Sequence, residues 1–179
     1  ARGGAPPRRP SSSSSRPPAA PPIPMLSVWK VLWAVRTIRP ILTTERLVLR
    51  EFHPSDAAAV FLSMSQERVT QYTNVETMRS LDQAERLVAV RASLFPRGLG
   101  VRWALALRER EDIAIGSCGT YNLNPGNRSA EIGYDLHPDH WRQGLMTEAL
   151  QAAIDYSYSE GFAFPLNRIE ALTTLDNEA

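Results

Sequence analysis

At 179 residues, with 20 basic and 19 acidic side chains, the chain suits one domain plus a tail. Seven of the basic residues precede Glu45, the first acid, which leaves 13 bases against 19 acids and a net charge of −6 beyond it, a balance that argues against nucleic-acid binding. Cys118 is the single cysteine, so no internal disulfide can form and a reducing, cytoplasmic setting is expected; no apolar run approaches the roughly 18 residues of a membrane span.

Residues 1–24 hold eight of the 14 prolines, a five-serine run and four arginines. Such a segment buries too little apolar surface to offset the entropy of ordering and is expected to be disordered. Its acid-free, Arg- and Ser-rich character also fits an organellar transit peptide. A simpler reading is untranslated upstream sequence. One lysine beside 19 arginines suggests a GC-rich coding sequence, and Met25 would be a reasonable start. Met25 to Val35 is apolar but broken by Lys30, a short helix or strand without an assigned function. Residues 1–40 are thus expected to be tail and linker, and 41–179 the domain.

Leu47 and Leu49 alternate with Arg46, Val48 and Arg50, the pattern of a half-buried strand. Pro54 and Ser55 start a helix through Ala57, Phe61 and Leu62, with Ser55 as its cap. A second helix is expected from Ser80 or Asp82, with Leu81, Ala84, Leu87, Val88 and Arg91 at helical spacing, ending near Pro96. Val101, Trp103, Leu105 and Leu107 alternate with Arg102, Ala104, Ala106 and Arg108, a strand, and Glu109 to Asp112 is a polar turn. A strand over Ile113 to Tyr121, a turn at Asn124-Pro125-Gly126-Asn127 and a strand over Ser129 to Leu136 complete an antiparallel meander. Cys118 within it reads as a small core residue.

His137-Pro138-Asp139-His140 places two histidines and an aspartate together, but proline interrupts them, no further Cys or His stands near them in sequence, and His53 lies far away. A turn is the better account and no metal is expected. In Trp141-Arg142-Gln143-Gly144-Leu145-Met146-Thr147-Glu148-Ala149-Leu150, glycine stands at the mouth of a helix and no carboxylate precedes Glu148. The first-turn N–H groups and the positive end of the helix dipole then form an anion site at the carboxyl end of a strand. The alternative is a glycine serving only as a turn residue. The stretch lacks both the Gly-Lys-Ser/Thr ending of a nucleoside-triphosphatase loop and G-x-G-x-x-G. The helix should bury Met146, Ala149, Leu150, Ala153, Ile154 and Ser157, expose Glu148, Gln151, Asp155 and Ser159, and stop at Gly161. A strand over Leu166 to Thr174, parallel to Ser129–Leu136, should follow.

Three blocks carry a resemblance. Leu42-Thr43-Thr44-Glu45-Arg46-Leu47-Val48-Leu49-Arg50 with Ser55-Asp56-Ala57 resembles the opening of the Rim-type ribosomal-protein branch of the GNAT N-acetyltransferases. Ala130-Glu131-Ile132-Gly133-Tyr134 is similar to a block of that family. Trp141-x-x-Gly144-x-Met146 resembles its pyrophosphate loop, Q/R-x-x-G-x-G/A. The loop departs at Trp141, where an aromatic is familiar in the Rim-type branch, and at Met146. The match runs from about Leu42 to the last residue.

The resemblance implies the GNAT acyl-CoA N-acyltransferase fold, an α/β (α+β) arrangement with a mixed, mostly antiparallel sheet flanked by helices. It implies acetyl-CoA as co-substrate, its pantetheine arm in a gap between two splaying strands near Tyr134 and Leu136. The pyrophosphate would sit on the loop of Arg142, Gln143, Gly144, Leu145, Met146 and Thr147, and Asn177 would touch the arm. The two helices before Pro96 would wall the acceptor groove. Tyr72, Asn74, Glu76 and Arg79 would then be substrate contacts, or else solvated loop residues. Glu131 is the candidate base, with an exposed strand glutamate as the alternative.

The acceptor is an amine, of a protein N-terminus or of a small molecule such as a polyamine or aminoglycoside. A non-catalytic acyl-CoA-binding module is the rival from another class. An α-amine, with a pKa of about 7.7–8.0, is roughly a tenth neutral at pH 7, against about a thousandth or less for lysine, so it needs only modest base help. A monomer or homodimer is expected. The family's closing helix and two strands, with the residue that protonates the leaving thiolate, would follow Asn177. The chain is therefore expected to be incomplete at its C-terminus and to fold poorly alone.

Overall fold

The computed structural model describes residues 39–71, 73 and 75–173. The expectations for residues 1–38, Tyr72, Asn74 and Asn177 lie outside the described residues. The elements are β1 (Leu42–Thr43), β2 (Leu47–Arg50), α1 (Ala57–Met64), α2 (Glu67–Thr70), α3 (Leu81–Ser93), β3 (Gly100–Leu107), β4 (Gly116–Asn124), β5 (Ser129–Leu136), α4 (Leu145–Tyr158) and β6 (Arg168–Glu170). Single 3-10 turns occupy Pro54–Asp56 and Pro138–His140.

The six strands form one sheet in sequence order, antiparallel from β1 to β5 and parallel between β5 and β6. The β4–β5 hairpin closes as its sequence suggests, with the Asn124 side chain accepting from the Asn127 N–H (3.0 Å). Pairing between β5 and β6 covers only Ser129–Arg168, Ala130–Ile169 and Glu131–Glu170. From Ile132 to Leu136, β5 keeps β4 on one side and has no strand on the other among the described residues. The parallel strand expected over Leu166 to Thr174 is therefore shorter. Leu172, within the expected span, is 76% exposed.

Helix α4 covers one face of the sheet. Leu145, Ala149, Ala153 and Ser157, one i, i+4 row, are its buried side. The small alanines let the helix approach closely, and Cys118 Sγ lies 3.9 Å from the Ala149 carbonyl. Trp103 is fully buried on this face, edge-on to Tyr156 at 5.5 Å, with its indole N–H donating to the Pro40 carbonyl (2.7 Å). Met146, Leu150 and Ile154 flank the row half-buried, and the helix ends at Tyr158 instead of Gly161. Glu148 does not face solvent with Gln151 and Asp155; it turns to the β1–β2 connection, as described below.

Helices α1 and α3 cover the other face, with Val60, Met64, Ala84 and Val88 packed around Phe52, Ala104 and Ala114. The start of α1 is fixed by Asp56, not Ser55. The buried Asp56 carboxylate accepts from the His53 N–H (2.7 Å) and from both arms of the Arg50 guanidinium (2.7 and 2.9 Å). At α3, Ser80 is the N-cap, and Gln83 Oε1 accepts from its N–H (3.1 Å). Both faces being covered, β3 is buried from Gly100 to Ala106 and not half-exposed as its alternation suggests. Strand β4 starts at Gly116, not Ile113, with the Ile115 N–H donating to the Leu105 carbonyl (2.7 Å) just before it.

Candidate active site

The turn after β5 delivers the chain to α4 through two left-handed residues, Arg142 (φ +58°) and Gly144 (φ +74°), the second being the helix N-cap. Side chains pin both ends of the loop. The Trp141 indole N–H donates to the Leu136 carbonyl (2.7 Å), and the Gln143 amide donates to the Asp139 carbonyl (2.9 Å). None of the backbone N–H groups from Arg142 to Thr147 has a hydrogen-bond partner among the described residues. Gln143 and Gly144 are exposed, Leu145 is buried and Met146 is half-buried. The site therefore offers outward N–H donors at the positive end of a 14-residue helix.

Glu148, the one acid in the first turn, is withdrawn from that site. Its Oε1 accepts from Thr44 Oγ1 (2.5 Å) and the Arg46 N–H (2.8 Å), and its Oε2 from Arg46 Nε (2.7 Å). Partial burial would raise its pKa, but the hydrogen bonds from Thr44 and Arg46 outweigh that and lower it. Arg46 Nη1 also donates to the Gln143 carbonyl (2.8 Å). Sequence reasoning placed Arg46 only as the outward side of a strand; the 102-residue separation from Glu148 hides the contact.

Beside the loop lies the edge of β5 that no strand pairs among the described residues. Tyr134 is 46% exposed on the α4 face, whereas Leu136 is buried and its carbonyl already accepts from Trp141. Glu131 is half-buried on the opposite face, opposite Tyr121 on β4 and Glu170 on β6, at the last register position before β5 and β6 part.

On that same α1/α3 face, sequence reasoning missed a buried charge cluster. Asp135 Oδ2 accepts from Arg91 Nη2 (2.8 Å), Arg102 Nη2 (2.7 Å) and Ser117 Oγ (2.6 Å), and Arg102 Nε donates to Ser117 Oγ (3.0 Å). Four elements, α3, β3, β4 and β5, meet at one carboxylate. Burial would raise the Asp135 pKa, but Arg91 and Arg102 outweigh it and hold it low. Burial pulls Arg91 down to about 10, opposed by Asp135, so it remains cationic at neutral pH. Arg91 Nη1 is buried without a hydrogen-bond partner among the described residues. A Cβ at Gly133 would lie 2.9 Å from Arg102 Nη1 and from the Tyr121 ring, so glycine leaves the space that the cluster and Tyr121 fill.

An acetyltransferase (GNAT) domain profile matches residues 46–179. The chain belongs to the GNAT N-acetyltransferase family. It is 39% identical over 140 residues to the uncharacterized N-acetyltransferase YoaA of Bacillus subtilis, covering 78% of this chain and 77% of that one. It is 35% identical to the uncharacterized N-acetyltransferase p20 of Bacillus licheniformis, over 76% and 74% of the two chains. Among solved structures it is similar to RimL, a ribosomal L7/L12 α-N-protein acetyltransferase in complex with coenzyme A, at a TM-score of 0.66 and 22% identity over 77% of each chain. That likeness is one of fold: the mixed sheet with helices on both faces is the GNAT arrangement that the three sequence blocks implied.

The remaining candidates sort simply within the GNAT domain. Cys118 is fully buried and its thiol is pushed up to about 12 by burial, so it is a core residue and not a thiolate nucleophile. His137 accepts from the Asp139 N–H (3.3 Å) and its Nε2 lies 3.3 Å from the Gln66 amide, which ties the turn to the α1–α2 junction. Arg68, on α2, stacks over Trp141 at 5.8 Å. Among the described residues no group of three or more His, Cys, Asp or Glu is placed to hold a metal ion. Glu76 and Arg79 are exposed in the loop before α3.

Proposed function

We propose that this GNAT enzyme transfers the acetyl group of acetyl-CoA to the α-amine of a protein N-terminus. The observation that carries the co-substrate half is the juxtaposition of unpartnered N–H groups from Arg142 to Thr147 with the free β5 edge from Ile132 to Leu136. The loop fits a pyrophosphate, because it presents N–H donors, no obstructing acid and a positive dipole end. The edge at Tyr134 fits an amide-bearing arm, which would pair with it as a strand does. Acetyl-CoA supplies an activated thioester. The chain's own part is to hold it and to present a neutral amine beside β5.

One observation supports a protein α-amine as acceptor: RimL, which shares the fold, is described as an α-N-protein acetyltransferase. The test is a turnover screen with acetyl-CoA against peptides of differing N-termini, polyamines and aminoglycosides. Thiol release with peptides is expected. Release with the small amines alone would reassign the acceptor, and binding without turnover on any amine would mark a non-catalytic module.

In this reading Glu131 assists removal of the amine proton, because it stands at the point where β5 and β6 part. General-base help is typically worth about a hundredfold or more. Glu131→Gln is expected to lower kcat by about that factor at neutral pH. The loss should shrink as pH rises toward the acceptor's pKa, because more of the amine is then neutral without help. A pH–rate profile superimposable on that of the unaltered enzyme would make the glutamate structural.

A further inference from the structure

The anion loop is held by a residue a hundred positions away. Arg46 lies in the connection into β2, yet its guanidinium spans two points of the loop–helix junction, Glu148 Oε2 (2.7 Å) and the Gln143 carbonyl (2.8 Å). Glu148 is itself fixed by Thr44 Oγ1 and the Arg46 N–H, so the fork cannot drift without breaking several bonds. Arg46 Nη2 lies 3.5 Å from where a Cβ on Gly144 would stand.

The Gln143 contact has a geometric consequence. In a planar trans peptide the C=O and the following N–H point in opposite directions. A Gln143 carbonyl locked onto Arg46 therefore aims the Gly144 N–H away from Arg46. The same lock stops the carbonyl from turning toward the site, where its negative end would repel an anion. Because the Arg46 charge is matched by Glu148, the effect is one of orientation more than of added charge.

We propose that Arg46 is a positioning residue for the pyrophosphate of coenzyme A, acting through the Gln143–Gly144 peptide, with Glu148 and Thr44 as its supports. The proposal rests on the reading that this loop binds the pyrophosphate. Lysine cannot replace the arginine, because an ammonium lacks the planar fork that reaches carboxylate and carbonyl together.

The test is calorimetric, on the full chain, with coenzyme A and with pantetheine, which lacks the pyrophosphate. The unaltered protein should bind coenzyme A much more tightly than pantetheine. Arg46→Ala should weaken coenzyme A by about tenfold or more, the size expected for charge-assisted hydrogen bonds, and leave pantetheine unchanged. Arg46→Lys and Glu148→Gln should show the same selective loss, and either serves if Arg46→Ala does not fold. In turnover, KM for acetyl-CoA should rise while KM for the acceptor stays fixed. Coenzyme A affinity that survives Arg46→Ala, or equal losses for both ligands, would overturn the proposal and leave the loop assignment standing. No preference for coenzyme A over pantetheine in the unaltered protein would instead overturn the loop assignment, and the proposal with it.

Discussion

Asp135→Ala is expected to destabilise the fold by about 3–5 kcal/mol, the cost of removing one partner from a buried ion pair. The Asp135 side chain is 5% exposed and accepts hydrogen bonds from Arg91, Arg102 and Ser117. Its removal leaves two buried cations facing each other without a counter-charge. Net stabilities are only about 5–15 kcal/mol, so the variant should unfold at a much lower urea concentration or fail to accumulate. The unaltered protein should show a related acid sensitivity. Asp135 has its pKa lowered on folding, so its contribution is present above the unfolded value of about 3.9 and is lost as pH falls through the folded value. A urea midpoint for Asp135→Ala within error of the unaltered protein would show that the cluster contributes little.

Gly144→Val is expected to abolish measurable coenzyme A binding while leaving cooperative unfolding intact. Space is not the obstacle, since the nearest atom to an added Cβ is Arg46 Nη2 at 3.5 Å. The backbone is the obstacle. At φ +74° a β-branched residue is a steric outlier, and the left-handed region costs an ordinary residue about 1–2 kcal/mol. That strain is small against the stability of the domain but can be relieved locally by rotating the loop, which turns the Gly144 N–H out of register. Gly144→Asn, which tolerates this region, should lose less affinity. Calorimetry giving the valine variant the unaltered affinity would remove the loop from the binding site.

Local patterns made much of this domain readable. Period-two alternation located β5 at Ser129–Leu136, the Asn124–Asn127 turn located its hairpin, and Gly144 marked the start of α4. The strand expected over Leu166 to Thr174 pairs with β5 only as far as Glu170, and Leu172 beyond it is exposed. What escaped depends on partners distant in sequence. Arg91 looked like one more helical position and Arg102 like the wet side of a strand, yet both converge on Asp135, 44 and 33 residues away. Arg46 and Glu148 each looked solvated until the β1–β2 connection and α4 brought them together. Buried charge is hard to read from one sequence because the pattern that marks it, polar residues among apolar ones, also marks an exposed face.

The most direct test of the central claim is an amide chemical-shift titration of the isotope-labelled full chain with coenzyme A. Two separate segments should respond together: Gln143 to Thr147 in the loop, and Ile132 to Leu136 along the free edge of β5. Pantetheine should move the β5 segment and leave the loop in place. If coenzyme A binds and shifts resonances elsewhere while both segments stay still, the anion loop and the strand edge are not the co-substrate site.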